Sequence, residues 1–213
     1  MVHDALSSDI RIRNFNPDLD SKHLTELWVK GLDQTSNAKY WWVRKWWKDM
    51  FDRYAAKATS PDGDMGPDGS NLEQNWCGDE TNRGMLVAEE VSENQPSVLV
   101  GCCGIIRGAE SSPKEIDANE TTFSIWKMSV DENCQGKGIG GKLMKAAENW
   151  AKTNGCIKLR MITTNPIASW FYQKHGYEWV EWTWLEWIAF RYFGGYMNMG
   201  KWHEKELSNT GNV

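Results

Sequence analysis

The chain has 213 residues, 40% of them hydrophobic and 25% charged, with a formal net charge of −5. That is enough to bury one core and too little for two enzyme domains, and the hydrophobic fraction excludes a disordered chain. No apolar run approaches the ~18 residues of a spanning helix, and the acidic balance gives no global reason to bind nucleic acid.

The opening MVHDALSSDIRIRNF lacks the basic start and apolar block of a secretory signal. Cys77, Cys102, Cys103, Cys134 and Cys156 are odd in number, two are adjacent, and no CxxC spacing occurs. They read as reduced thiols of a cytoplasmic protein. The four histidines are scattered, so no zinc or other metal site is expected.

Residues 8–15 (SDIRIRNF) alternate polar and apolar side chains, Ile10 and Ile12 against Arg11 and Arg13, which predicts a half-buried strand. Asn16 and Pro17 end it, and Asp20 or Ser21 can cap a helix running through Leu24, Leu27 and Trp28 to about Leu32. A second amphipathic helix is predicted over 38–58. Val43, Trp46, Trp47, Met50, Phe51 and Tyr54 fall at helical spacing, opposite Arg44, Lys45, Lys48, Asp49, Asp52 and Arg53. This stripe suits core packing or a substrate cleft first, and docking on a membrane surface or a partner second.

Residues 59–80 form one long loop dense in Pro, Gly, Asp and Asn. Asp62, Asp64, Asp68 and Glu73 echo a calcium-binding loop, but Pro67 stands where that loop's turn requires glycine. A solvated loop near the active site is the better reading. MLVAEEV, SVLVGCCGII and TTFSIWKMSV then predict three consecutive strands joined by polar turns. A helix from Ile139 to about Thr153, a strand from 157, a short helix from Pro166 to Lys174, and aromatic strands in YEWVEWTW and near GYMNMGKWH complete the order. Residues 9–204 read as one domain, with 1–8 and 205–213 as disordered ends. The fourteen tryptophans suit either a heavy core or an aromatic cleft.

The informative stretch is SIWKMSVDENCQGKGIGGKLMKAAENWAK. A strand ends near Val130, and glycines at 136, 138, 140 and 141 open an amphipathic helix. Glycines let backbone approach a phosphate, and the first N–H groups and dipole of a helix favour an anion. Lys137, Lys142 and Lys145 add full charges. Gly136, Gly141 and Lys142 satisfy GxxxxGK, but Leu143 follows where a magnesium-binding Ser or Thr is required. Gly136, Gly138 and Gly141 also satisfy GxGxxG, yet IKLRMIT carries no acidic residue to close the next strand, as a dinucleotide fold would need.

Gln135 to Gly140 reads Q-x-x-G-x-G between a strand and a helix, and Asn165, Pro166, Ala168, Phe171, Tyr172, Gly176 and Tyr177 follow in the pattern N-x-x-A…FY…GF. Together these resemble the acetyl-CoA signature of the GCN5-related N-acetyltransferase superfamily over residues 84–182. The run S-V-D-x-x-x-Q-G-K-G-I-G is most similar to the camello-like group, which includes cysteine-conjugate N-acetyltransferases. That group carries a hydrophobic membrane segment where this chain has the charged 38–58 stretch.

The resemblance implies an α/β (α+β) fold: a central mixed, mostly antiparallel sheet, splayed at the cofactor-binding strands and flanked by helices. It implies acetyl-CoA as co-substrate, an amine of a small molecule, amino-acid conjugate or polypeptide as acceptor, and direct attack of the amine on the thioester. Backbone N–H groups of Gln135, Gly136, Lys137, Gly138, Ile139, Gly140 and Gly141, with Lys142, would hold the diphosphate. The strand edge at Met128, Ser129 and Val130 would hold the pantetheine arm and supply the oxyanion donor. Tyr172 matches the family tyrosine that protonates the leaving thiolate, and Asn165 caps its helix or bonds the coenzyme arm. Many relatives place a glutamate midway along the strand before the turn; the matching position is Ser124. Glu120 acting through water is the expected base, with Glu89 or Glu90 as other options, and none is needed if the amine enters neutral. His175 reads as structural. A monomer or homodimer is expected, without nucleic acid, and membrane association is left open. The alternative is a catalytically weak coenzyme A-binding regulatory protein of the same fold.

Overall fold

The computed structural model describes residues 9–33, 45, 49, 81–92, 95–108, 119–163, 166–180 and 201–207. The predicted 59–80 loop and the ends 1–8 and 208–213 lie outside these, as does the predicted 38–58 helix except at residues 45 and 49, both helical. In chain order the elements are β1 (Asp9–Asn14), α1 (Pro17–Asp33), β2 (Arg83–Ser92), β3 (Gln95–Arg107), β4 (Thr122–Val130), a 3-10 turn (Glu132–Cys134), α2 (Ile139–Thr153), β5 (Lys158–Thr163), α3 (Pro166–Lys174), β6 (Glu178–Trp179) and β7 (Lys201–Glu206). The expected fold class is the observed one. Seven strands form one mixed sheet in the order β1-β2-β3-β4-β5-β7-β6, antiparallel throughout except for β4 beside β5.

Continuous apolar runs mark strands covered on both faces, and β2 and β3 are such strands. Alternate residues go to opposite layers. Leu86, Ala88, Val100, Cys103 and Ile105 pack with Ile139, Leu143, Met144, Ala147 and Ala151 of α2. Met85, Val87, Cys102 and Ile106 pack with Leu24 and Leu27 of α1 on the other side. Each fully buried aliphatic side chain contributes about 1.5–3 kcal/mol, so α2 is fixed chiefly by this stripe. Two of the tryptophans serve the same layers, Trp150 against the first cluster and Trp126 against the second, while Trp170 and Trp179 stay exposed.

Two boundaries differ from expectation. The first helix starts at Pro17, earlier than Asp20 or Ser21 would cap it, because proline suits the first helical position. Asn16 is the residue before it, its Oδ1 accepting from Asp18 N at 3.0 Å. At the other end, β7 runs through Glu206, and Leu207 is buried in the core. Ordered structure therefore continues past 204, after which the sequence reading placed a disordered tail, because the third residue of that tail, Leu207, joins the buried core cluster. Among the described residues no helix is long and apolar enough to cross a membrane, and Cys102, Cys103, Cys134 and Cys156 are buried free thiols.

The alternating arginines of β1 have a job in tying the sheet edge down. Arg13 forks onto Asp20 of α1 at 2.7 and 2.8 Å and donates through Nε to Glu89 of β2 at 2.9 Å; Arg11 also pairs with Glu89. Burial alone raises both carboxyl groups, but the Arg13 hydrogen bonds, with Asn16 N on Asp20 and Arg11 on Glu89, hold both below the usual carboxylate range. Glu89 is thereby committed to the β1–β2–α1 joint. A carboxylate with a lowered folded pKa contributes stability above its unfolded pKa and loses it as pH falls through the folded value. Stability in a denaturant titration should therefore fall from about pH 5 downward. Glu89→Gln should cost about 3 kcal/mol at neutral pH and flatten that fall. Equal stability and an unchanged acid slope in the variant would contradict this account.

Candidate active site

The site begins where β4 leaves β5. Their parallel register holds for three pairs, Thr122↔Lys158, Phe123↔Leu159 and Ser124↔Arg160, while β4 runs on to Val130 and β5 to Thr163. On its other side β4 stays with β3 as far as Gly101↔Val130. Beyond Ser124 a wedge therefore opens between the carboxyl ends of two adjacent strands, with Met128, Ser129 and Val130 along one wall.

A bulge in β4 accompanies the parting. The β3–β4 register steps from Cys102↔Ser129 to Gly104↔Trp126, so Cys103 alone stands opposite Lys127 and Met128. Lys127 takes the extra residue at φ 49, a left-handed conformation uncommon for a non-glycine side chain. The Cys102 thiol donates to the Lys127 carbonyl at 3.1 Å and fixes the turned peptide. Bulges bend and over-twist the strand that carries them, which swings the end of β4 away from β5 and re-aims the backbone at Met128.

The glycine turn closes the wide end of the wedge. Asp131 N donates to Val100 O at 2.9 Å, and Asp131 Oδ1 accepts from Asn133 N at 2.9 Å, so the turn is pinned to the sheet. Gln135 Nε2 reaches back to Val130 O at 3.4 Å. Gly138, the residue that precedes α2, has φ 78, makes no side-chain cap, and a Cβ built there would meet nothing within 4 Å. The first intrahelical bond is Lys142 N to Gly138 O at 3.1 Å, so the helix presents the N–H groups of Ile139, Gly140 and Gly141 ahead of it. The first turn of α2 carries no acidic residue. Lys137 is half-exposed and lies 3.7 Å from Glu90, which an arriving anion would displace. Backbone amides, helix dipole and lysine charge together form an arrangement that can hold an anion.

α3 follows β5 directly and forms the opposite wall. Tyr172 is buried, and its hydroxyl reaches 3.9 Å from Met128 Sδ at the β4 bulge. Burial, with a smaller contribution from Cys103, pushes the phenol well up, so it stays protonated at neutral pH. The helix comes close enough to α2 for this because Gly140 and Gly141 have no side chains. A Cβ at 140 would lie 3.2 Å from the Phe171 ring, and one at 141 would lie 3.2 Å from His175 Nε2.

The structure thus brings together Met128, Ser129, Val130, Gln135, Gly136, Lys137, Gly138, Ile139, Gly140, Gly141, Lys142 and Tyr172 around one cleft; Asn165 lies outside the described residues. It does not bring Glu120 with them. That carboxylate accepts from Thr122 N at 2.7 Å at the start of β4, and the strand's length, about 20 Å or more, separates it from Met128. Ser124 is buried, and its hydroxyl donates to Gly108 O at 2.6 Å. One group that the sequence did not single out is His203 of β7. It is fully buried, bonded through Nε2 to Ser169 Oγ at 2.9 Å, with its ring 5.9 Å from that of Tyr172. Its ring packs against that of the tyrosine at a 53° tilt. A histidine in an aromatic tail segment gives no local sign of such a role. Among the described residues no group of three His, Cys, Asp or Glu side chains is placed to hold a metal ion.

Comparisons with known proteins agree with this fold. A family model described as the acetyltransferase (GNAT) family matches residues 40–177. No curated protein sequence is similar enough to count as a match. Among solved structures, an acetyltransferase of the GNAT family from Staphylococcus aureus is 18% identical with a TM-score of 0.59, covering 94% of this chain and 100% of that one. The PaiA N-acetyltransferase of Thermoplasma acidophilum, in complex with coenzyme A, is 15% identical with a TM-score of 0.56, covering 93% and 99%. The yncA protein of Salmonella typhimurium, with its cofactor acetyl-CoA, is 14% identical with a TM-score of 0.52, covering 97% and 98%. At these identities the likeness is one of fold.

Proposed function

The chain belongs to the acetyltransferase (GNAT) family, and on that footing we propose that it is an acetyl-CoA-dependent N-acetyltransferase. The acceptor is an amine of a small molecule, an amino-acid conjugate or a polypeptide. The observation that carries the reading is the parting of β4 from β5 next to an uncapped, glycine-opened helix. A pantetheine arm carries amides at intervals, and a strand edge at Met128–Val130 can bond them as it would a neighbouring strand. The amides from Gln135 to Gly141 take the diphosphate, Lys137 and Lys142 add charge, and Asn165 serves the coenzyme arm or the start of α3.

With the thioester at Met128, a backbone N–H of Met128–Val130 meets the oxygen on which charge develops. The amine nitrogen bonds to the carbonyl carbon, the carbon–sulfur bond breaks, and Tyr172 gives its proton to sulfur. The burial that raises the phenol also raises the thiol formed beside it, so the gap between them stays that of an ordinary phenol and thiol, and the hydrogen bond between oxygen and sulfur carries the transfer. The amine enters neutral, and the proton it sheds passes through water and restores the Tyr172 phenol. Glu120, bonded to the start of β4, is not used.

One observation favours a second reading. Ser124, the position matched above to the glutamate that many relatives carry, stands near the start of β4 with its hydroxyl tied to Gly108 O. A coenzyme-binding protein without turnover would tolerate that. Thiol release from acetyl-CoA against a panel of amines, with products scored by mass for one added acetyl group, separates the two.

Tyr172→Phe should lower kcat by about 100-fold or more while leaving the affinity for acetyl-CoA nearly unchanged. Undiminished turnover would remove it as the acid. Gly138→Asp should keep the fold, since aspartate tolerates the left-handed region and a Cβ there meets nothing, at a cost of about 1 kcal/mol. It should also abolish acetyl-CoA binding in calorimetry by placing a carboxylate at the diphosphate. Unchanged affinity would contradict the assignment of the turn.

A further inference from the structure

His175 sits at the carboxyl end of α3, and its ring is held from two sides. Nδ1 lies 2.8 Å from the Phe171 carbonyl oxygen, and the ring lies 4.3 Å from that of Phe171 with a 41° tilt. A carbonyl oxygen only accepts, so Nδ1 carries a hydrogen and Nε2 is the nitrogen left to meet something else. Nε2 stands 3.2 Å from the point where a Cβ on Gly141 would be. The imidazole thus fills the place of a side chain in the first turn of α2, supplied by a different helix. Gly141 is the third residue of α2, so this contact lies within the helix turn that carries the exposed amides.

Resting on the coenzyme reading above, we propose that His175 is a further phosphate-binding residue. When the diphosphate seats on the turn, Nε2 takes up a proton from solvent and donates its N–H to a phosphate oxygen, so acetyl-CoA binding is proton-linked. The charged groups around the ring set this up. Lys205 of β7 donates to the His175 carbonyl at 2.9 Å and pairs with Glu148 of α2 at 2.7 Å, and Tyr177 OH also donates to Glu148, at 3.1 Å. Lys142 and Lys145 are exposed on α2, Lys137 of the turn pairs with Glu90 of β2, and Lys174 lies over the exposed Trp170 ring. Glu148 and Glu90 are thus each paired with a lysine, and the arriving phosphate is the anion that favours a proton on Nε2. The protonated ring is favoured in the complex, so affinity falls as pH rises through the range in which histidine loses its proton.

The test is calorimetric titration of the full chain with acetyl-CoA at about pH 6, 7 and 8 in buffers of different ionisation heat. The parent is compared with His175→Gln, which keeps an amide N–H within reach but cannot be protonated. The coenzyme's own phosphates titrate equally in both, so the difference isolates the imidazole. From high to low pH the parent should gain roughly tenfold more affinity than the variant, with proton uptake that the variant lacks. Parallel pH profiles and equal proton uptake would overturn the proposal while leaving the coenzyme site intact. No binding by the parent would overturn the coenzyme reading itself. Should the glutamine variant fail to fold, Gly141→Ala presses on Nε2 from the other side and should also reduce the proton uptake.

Discussion

Past Ser124 the backbone of β4 has to stay bonded to β3 while it lets go of β5. Strand pairing is cooperative, so a strand does not leave one neighbour and keep the other unless something forces it to turn. Here that something is the extra residue at Lys127, held at a positive φ and fastened by the Cys102 thiol. The wedge that results presents strand backbone to a ligand inside an otherwise covered sheet. Everything else in the site is arranged around its mouth: the glycine turn at the end of β4, and α3 with Tyr172 at the end of β5.

The two walls are made by opposite uses of burial. On the α2 side the chain keeps polar backbone open. Gly138 has no side-chain cap, so helix amides that Asp or Ser would ordinarily satisfy are left open, as the proposed phosphate site requires. On the α3 side it keeps a polar side chain dry, with Tyr172 packed between Phe171, Tyr177 and His203. The close approach of the helices at Gly140 and Gly141 joins the two. A site built this way needs a stiff frame, and the buried α2 stripe and the Arg13–Glu89–Asp20 joint at the sheet edge provide one.

How much of this the sequence disclosed follows from how local each feature is. The shape of the turn was legible because a glycine-opened helix start is written in consecutive residues, Gln135 to Lys142, and the strand alternation of Ile10–Arg13 and the stripe of α2 are equally local. The bulge was not legible: lysine at a left-handed position follows no pattern, and what holds it is a thiol 25 residues away. Nor was the place of β7 between β5 and β6, since a six-residue strand with polar alternation says nothing about its neighbours. Glu89 looked like a candidate base because carboxylates at the edge of a strand run attract that reading; its partners, Arg11 and Arg13, lie more than 70 residues earlier. The contact of His175 with Gly141 was not legible for a related reason, because the glycine belongs to another helix.

The central claim is that one ligand spans both the β4 edge and the glycine turn. Backbone amide resonances of the full chain, followed as acetyl-CoA is added, test it most directly. The account predicts that the amides of Met128–Val130 and of Gln135–Gly141 shift together, with one saturation point, and become protected from exchange, while those at the start of β4 near Thr122 stay where they are. Saturating acetyl-CoA that leaves either the strand amides or the turn amides unmoved would contradict it.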